Sequence, residues 1–250
     1  MLLVCAATAR ELLSALTEQA LGPAPGAACG PAAQTGLPEQ ELLPLHLGLP
    51  ALACITGVGP VNAALGMGLA LAGARQAGHA VSLVLNVGVA GSMDLQRAPL
   101  RSLWRVEEEI WPEYGLHDGT AVDGPSFGFP QWEGPHGPVF DRLPLAAPAQ
   151  LPACLHGLCS LPAATSLSVA GVSASRQRVE QLRQAHPGAL LENMEGFAVA
   201  LACARQGIAC VEVRSVSNRV GPRAPHETDF PGAKEKKYMD ECGAANFFGI

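Results

Sequence analysis

Glu11 stands three residues after Thr8 in Ala6-Ala7-Thr8-Ala9-Arg10-Glu11-Leu12, just past an apolar run. A carboxylate in that place can take a proton from a water held in a cleft, the work of a general base. The same Thr-x-x-Glu spacing is also a helix capping box, in which both side chains satisfy backbone donors. Spacing alone leaves both readings open. A second segment, Thr56-Gly57-Val58-Gly59-Pro60-Val61-Asn62, carries glycines that permit a tight turn and close backbone approach to a ligand, without the full dinucleotide fingerprint. The third, Asn86-Val87-Gly88-Val89-Ala90-Gly91-Ser92, follows a strongly apolar strand. Its small residues, Val89, Ala90 and Gly91 above all, leave room for a flat ligand or simply make a tight turn. The fourth comes in two parts. Glu192-Asn193-Met194-Glu195-Gly196 puts Glu195 at the start of a helix, where the dipole favours a carboxylate whatever its use. Arg214 to Arg223 sets Ser217, Asn218 and Arg219 after a strand, as a cap or as ligand contacts. Ser173 completes the set of candidate contacts.

The elements that must position these residues alternate between strand and helix patterns, which implies an α/β chain around a central sheet. Strands are expected at Leu2–Ala6, Ala51–Thr56, Val81–Val87, Leu167–Val172, Ala189–Leu191 and Ala209–Ser215. Helices are expected over Ala9–Ala20, Val61–Arg75, Ser175–Ala185 and Glu195–Gln206. The four segments then stand at strand ends, where open α/β sheets bind ligands. Residues 22–40 are rich in Pro, Gly and Ala and read as a mobile loop. Residues 111–138 carry Trp111, Tyr114, Phe127, Phe129 and Trp132 among many Gly and Pro. That stretch is either a substrate-covering loop or a surface excursion with its own small cluster. No internal repeat or domain boundary stands out before the tail, where all the lysines (Lys234, Lys236, Lys237) are gathered.

Composition narrows the function classes. The 250 residues are 48% hydrophobic and 15% charged, which suits a packed enzyme with one large core. A net charge of −6 provides no basic field for nucleic acid. No apolar run is long enough to cross a bilayer, and the apolar start lacks a basic stretch, so it reads as a buried first strand and not a signal peptide. The eight cysteines include no C-x-x-C pair and sit largely in apolar patterns, which implies reduced thiols and a cytoplasmic location. Seven histidines without H-x-x-x-H spacing give no support for a metal, and no cofactor is expected.

Taken in order, the segments resemble the purine nucleoside phosphorylase and methylthioadenosine nucleosidase superfamily, over residues 1–223. The Asn-Met-Glu-Gly stretch at 193–196 and the Ser-Asn-Arg-Val-Gly-Pro-Arg stretch at 217–223 are the most specific parts. Within it, Glu109 to Gly119 and Phe127-Gly128-Phe129-Pro130 are similar to the futalosine hydrolase branch of menaquinone biosynthesis. The resemblance implies a single-domain, three-layer α/β/α nucleoside phosphorylase-like fold with a central mixed sheet, followed by a tail at 224–250. It also implies roles: Glu11 activates water, Glu195 holds ribose hydroxyls and Met194 packs under the sugar. Asn218 falls where adenine-specific nucleosidases carry an aspartic acid that protonates the base. An amide cannot give up a proton but can hydrogen-bond a 6-oxopurine as charge accumulates there, which favours hypoxanthine over adenine.

Phosphorylases of this fold line their phosphate pocket with an arginine and a serine, where this chain has Asn86 and Val89. Their N-terminal Gly-Asp-Pro loop is missing too. Phosphate would lack charge-assisted donors, so water is the expected nucleophile. Arg219 and Arg223 are candidates for the carboxylate at the far end of futalosine. The expected activity is therefore futalosine hydrolysis. A methylthioadenosine or S-adenosylhomocysteine nucleosidase is the alternative, ahead of a phosphate-dependent phosphorylase and a catalytically dead purine-binding protein. The resemblance further implies a homodimer or larger homo-oligomer.

Overall fold

A computed structural model describes residues 1–16, 41–119, 121–145 and 151–222. The first helix ends at Ala15, short of the expected Ala20. The expected loop at 22–40, Arg223 and the tail at 224–250 lie outside the described residues.

In chain order the elements are β1 (Leu2–Ala6), α1 (Ala9–Ala15), β2 (Leu43–His46), β3 (Pro50–Ile55), α2 (Pro60–Gln76), β4 (Leu83–Ser92) and β5 (Leu103–Ile110). Two small hairpins follow, β6 (Leu116–His117) with β7 (Val122–Asp123) and β8 (Trp132–Gly134) with β9 (Gly137–Val139). A one-turn helix, α3 (Gly124–Phe127), stands between the hairpins. Then come β10 (Arg142–Pro144), a 3-10 helix (Ala153–Ser160), β11 (Ala163–Ser168), α4 (Arg176–Ala185), β12 (Ala189–Asn193), α5 (Gly196–Arg205) and β13 (Ala209–Arg219).

Nine strands form one mixed sheet in the order β10-β5-β11-β12-β4-β1-β3-β2. β13 lies off that path and bonds β4 on one side and β5 on the other. Strands β4, β13, β5, β11 and β12 therefore close into a ring, while β1, β3 and β2 extend from it as an open sheet. β1 is parallel to both neighbours and buried throughout, so its residues alternate between two cores. Leu2, Val4 and Ala6 pack with Leu12 of α1 and Leu155 and Leu158 of the 3-10 helix. Leu3 and Cys5 pack on the other face with Ala63, Met67 and Ala70 of α2 and Phe197 and Val199 of α5. Helices on both faces make three layers, the architecture the sequence implies. Among the described residues no helix is long and apolar enough to cross a membrane.

Several boundaries correct the sequence reading. The small-residue segment 86–92 does not follow a strand; it is the second half of β4. Likewise Ser217, Asn218 and Arg219 belong to β13, beyond a bulge between Val216 and Asn218. Glycine and polar residues hid these extensions, because the two half-strands are held by pairing with each other and need no apolar alternation. The strand expected at 167–172 lies at Ala163–Ser168 instead. β5 has no counterpart in the sequence reading, since Arg105, Glu107, Glu108 and Glu109 interrupt any apolar pattern.

Candidate active site

Glu11 unites both readings of its spacing. Its Oε2 accepts hydrogen bonds from Thr8 N (3.0 Å) and Thr8 Oγ1 (2.9 Å), which closes the capping box of α1. Its Oε1 turns the other way and accepts from Val89 N of β4 (3.1 Å). A carboxylate has about four acceptor sites, so three protein donors leave capacity for a water. Burial raises the Glu11 pKa, the neighbouring Glu195 charge adds to it, and Arg214 with the Val89 and Thr8 donors opposes them. The outcome is a carboxylate more basic than usual, as proton abstraction requires.

Glu195 is the N-cap residue of α5, and its side chain reaches out of the helix: Oε1 accepts from Gly59 N (2.9 Å). Gly59 adopts φ +89°, a left-handed conformation suited to glycine, and this aims its amide at Glu195. Between the two carboxylates lies Arg214 of β13, whose Nη1 is 4.0 Å from Glu195 Oε2 and whose Nε donates to Glu212 Oε1 at 2.7 Å. Gly88 of β4, paired with Arg214, makes room for it; a methyl there would strike the guanidinium and come within 3.0 Å of Glu11 Oε1. Burial works against the Arg214 charge, but Glu212 and Glu195 outweigh it and raise its pKa, so the cation persists. Its Nη2 has no partner among the described residues and can donate to an oxygen brought between Glu11 and Glu195.

The far end of β4 and β13 is neutral. Asn218 lies over Gly91, where a methyl would come 3.1 Å from its Nδ2. Asn218 Oδ1 accepts from Ser217 Oγ (2.9 Å) and Nδ2 donates to Arg219 O (2.9 Å), which leaves its second amide hydrogen available. Ser217 Oγ also lies 3.4 Å from Ala90 O, an alternative acceptor for its single hydrogen. Arg219 is exposed at the end of β13. Met194 is half-buried against a cluster that includes Met93, Val169 and Val220.

Two candidate contacts are engaged within the protein. Asn193 Oδ1 accepts from the amides of Glu195 (2.9 Å) and Gly196 (2.7 Å), and its Nδ2 donates to Glu109 and Ser166. It holds the start of α5 instead of facing a ligand. Ser173 donates its N (3.0 Å) and Oγ (2.5 Å) to the two oxygens of buried Glu192. Asn86 is buried beneath the site, accepting from Cys5 Sγ at 3.6 Å.

The family model of the phosphorylase superfamily matches residues 42–247. The chain belongs to the phosphorylase superfamily. It is similar to the futalosine hydrolase of Streptomyces coelicolor, 34% identical over 170 residues, which covers 67% of this chain and 66% of that protein. It is also similar to that of Thermus thermophilus, 37% identical over 172 residues, covering 67% and 69%. The alignments thus leave about a third of each curated relative unmatched. The fold is shared with the futalosine hydrolase of Helicobacter pylori (17% identity, 98% of this chain and 97% of that one, TM-score 0.64). A methylthioadenosine/S-adenosylhomocysteine nucleosidase of the same organism is as near in shape (18% identity, 98% and 93%, TM-score 0.64).

In this phosphorylase-superfamily member, Glu11 precedes the matched stretch, and the fold delivers it to Val89 and Arg214 within that stretch. Arg214 was not among the candidates singled out from the sequence, nor were Glu212 and Glu109. A signal was present: Val211-Glu212-Val213-Arg214 puts opposite charges two residues apart, on one face of an otherwise apolar strand. The aromatic stretch after β5 is a packed cluster anchored to the site helix. Trp111 meets both Tyr114 and Phe197 of α5 at 5.8 Å, and Tyr114 continues to Phe127 and Phe129.

Proposed function

We propose that this chain hydrolyses the N-glycosidic bond of futalosine, releasing hypoxanthine and dehypoxanthine futalosine, a step of menaquinone biosynthesis. One observation carries the reading: two buried carboxylates, Glu11 and Glu195, share a guanidinium at one end of the site, and a neutral amide, Asn218, stands at the other. The similarity to futalosine hydrolases supports the choice of nucleoside.

The glycosidic bond loosens toward a ribosyl cation, as in glycoside cleavage. Glu195 accepts from a ribose hydroxyl, and Val89, Ala90 and Gly91 form the floor on which sugar and base lie, with Met194 against the sugar. Water between Glu11 and Arg214 bonds to the anomeric carbon while the glycosidic electron pair leaves with the purine. Glu11 takes one water proton, which finally neutralises the departed base. Asn218, supported by Ser217, hydrogen-bonds the purine but gives it no proton, so the base must carry the transient charge itself. A 6-oxopurine does so through its carbonyl oxygen. Arg219 is our candidate for the substrate carboxylate.

Residues 1–223 are read as the catalytic domain, with 224–250 appended, although the family match runs on to residue 247. Cys5, Cys54, Cys203 and Cys210 are buried as free thiols, which supports a cytoplasmic location. We also infer a homo-oligomer. Val61, Leu65 and Leu69 form an exposed apolar stripe along α2, and Val61 is 79% exposed. The stripe continues into Val58, beside the glycine that holds Glu195. Sedimentation of wild type and Val61→Glu tests it, and a monomeric wild type rejects it.

The deciding assay follows release of free base from futalosine, inosine and methylthioadenosine, each with and without phosphate. Phosphate-independent release of hypoxanthine, fastest from futalosine, is expected. Faster cleavage of methylthioadenosine would make the chain an adenine nucleosidase, and dependence on phosphate would make it a phosphorylase.

A further inference from the structure

Beneath the cleft, Glu109 of β5 and Glu212 of β13 are fully buried on antiparallel neighbouring strands. Both carboxyl groups face the bare α-carbon of Gly196, where any side chain would collide with them. Glu109 Oε1 accepts from Asn193 Nδ2 (2.7 Å) and Oε2 from Ser168 Oγ (2.7 Å). Asn193 in turn holds the amides of Glu195 and Gly196. Glu212 Oε1 binds Arg214 Nε, while Glu212 Oε2 has no donor among the described residues. The two carboxyl groups converge there: Glu109 Oε1 and Glu212 Oε1 both lie within 2.6 Å of the point a Gly196 methyl would occupy.

We propose that Glu109 and Glu212 form a proton-sharing carboxyl pair that positions Glu195 and Arg214 together, which makes Glu109 a positioning residue of the site. The inference rests on the reading of Glu195 and Arg214 as site groups.

Two bare carboxylates buried side by side repel strongly, so the pair keeps one proton. Burial first, and then the Glu212 charge, push the Glu109 pKa well above the ordinary carboxylate range, the direction a proton held by the pair requires. Charge accounting agrees. Glu11, Glu195 and Glu212 already surround the Arg214 guanidinium, and a fourth negative charge in the same buried volume would go unmatched. Apolar side chains could fill this space with equal or greater stability. What a polar pair adds is direction. One arm runs from Glu109 through Asn193 to the turn bearing Glu195, and the other through Glu212 to Arg214.

Wild type, Glu109→Gln and Glu109→Leu are compared by steady-state kinetics on the nucleoside that wild type cleaves, by thermal denaturation and by infrared difference spectroscopy at neutral pH. Wild type should show the carbonyl band of a buried protonated carboxyl that Glu109→Gln lacks. The glutamine amide can still donate to Glu212 and accept from Asn193, so kcat/KM should stay within about fivefold of wild type, the scale of one neutral hydrogen bond. Glu109→Leu should lose about 10²-fold in kcat with KM nearly unchanged, as expected for misplaced site groups. The proposal is overturned if the band is absent, or if Glu109→Gln is as impaired as Glu109→Leu. Wild-type kcat in Glu109→Leu would overturn it as well. Should Glu109→Leu fail to fold, the band and Glu109→Gln decide. A wild type that cleaves no purine nucleoside defeats the functional reading alone, because the band reports on the pair without turnover.

Discussion

At one end of the site, Glu11, Glu195 and Arg214 are buried, and each side chain is fixed by at least two protein groups. At the other, Ser217 and Asn218 are half-buried and bond to each other and to neighbouring backbone. Burial explains the difference. A charge taken out of water persists only where partners compensate it, so the charged end must be held from several elements at once. A neutral amide has no such requirement and can be exchanged without dismantling its surroundings. On the proposed reading, the charged end sets what reaction is possible, and the neutral end sets which base departs.

The sharpest way to break this division is Glu11→Gln. Glutamine also closes a capping box, so the melting temperature should hold while kcat falls by about 10²–10⁴-fold. Near-full hydrolysis by the variant would reduce Glu11 to a helix cap. The same residue predicts a pH profile. Glu11 works ionised and its pKa is raised by burial and by Glu195, so kcat/KM should begin to fall at higher pH than for an ordinary glutamate. Thr8→Val removes a bond that favours the ionised form and should move that acid limb higher still.

Arg214→Met tests whether the charged end depends on its compensation. Glu212 would be left buried without its cation, and a loss of about 3–5 kcal/mol in denaturant unfolding is expected. Adding Glu212→Met should recover part of that stability but not activity. A single variant as stable as wild type would contradict the argument.

The neutral end should respond more mildly. In Asn218→Asp, the rate ratio of 6-amino to 6-oxo nucleosides should rise about tenfold, the scale of exchanging a neutral for a charged hydrogen bond. An unchanged ratio, measured on adenosine and inosine, would detach Asn218 from the base. The smallest effect lies outside both ends and serves as a control. Burial and the Arg142 and Arg178 charges lower the His186 pKa from 6.5 to about 4. The unfolded chain binds more protons between those values, so stability should decline as pH falls from 6.5 to about 4. His186→Asn should flatten that decline and leave the Glu11 limb in place, separating acid unfolding from loss of the base.

Much of the architecture was legible in the sequence. Leu2–Ala6 announces a buried strand, Pro60 after two glycines starts α2, and Ser175 caps α4 through its side chain. β5 was not legible. Its glutamates and arginine look like surface until pairing with β11 and β13 buries Glu109 beside Ser168 and Glu212. The far halves of β4 and β13 were hidden in the same way, since their pairing with each other runs through Gly88, Gly91 and Asn218 without an apolar pattern.

By itself the sequence determined the α/β alternation, the capping box at Thr8 and Glu11, the carboxylate before α5 and the neutral residue at 218. These are local matters of periodicity, spacing and side-chain chemistry. Only the tertiary structure showed that Glu11 reaches beyond its cap, because its second oxygen meets an amide 78 positions away, Val89 N. It alone brought Arg214 between Glu11 and Glu195 and gave the fully buried Glu109 its partners. A buried charge survives only among partners, and the fold gathers those partners from β5, β11, β12, β13 and α5, segments far apart in the chain.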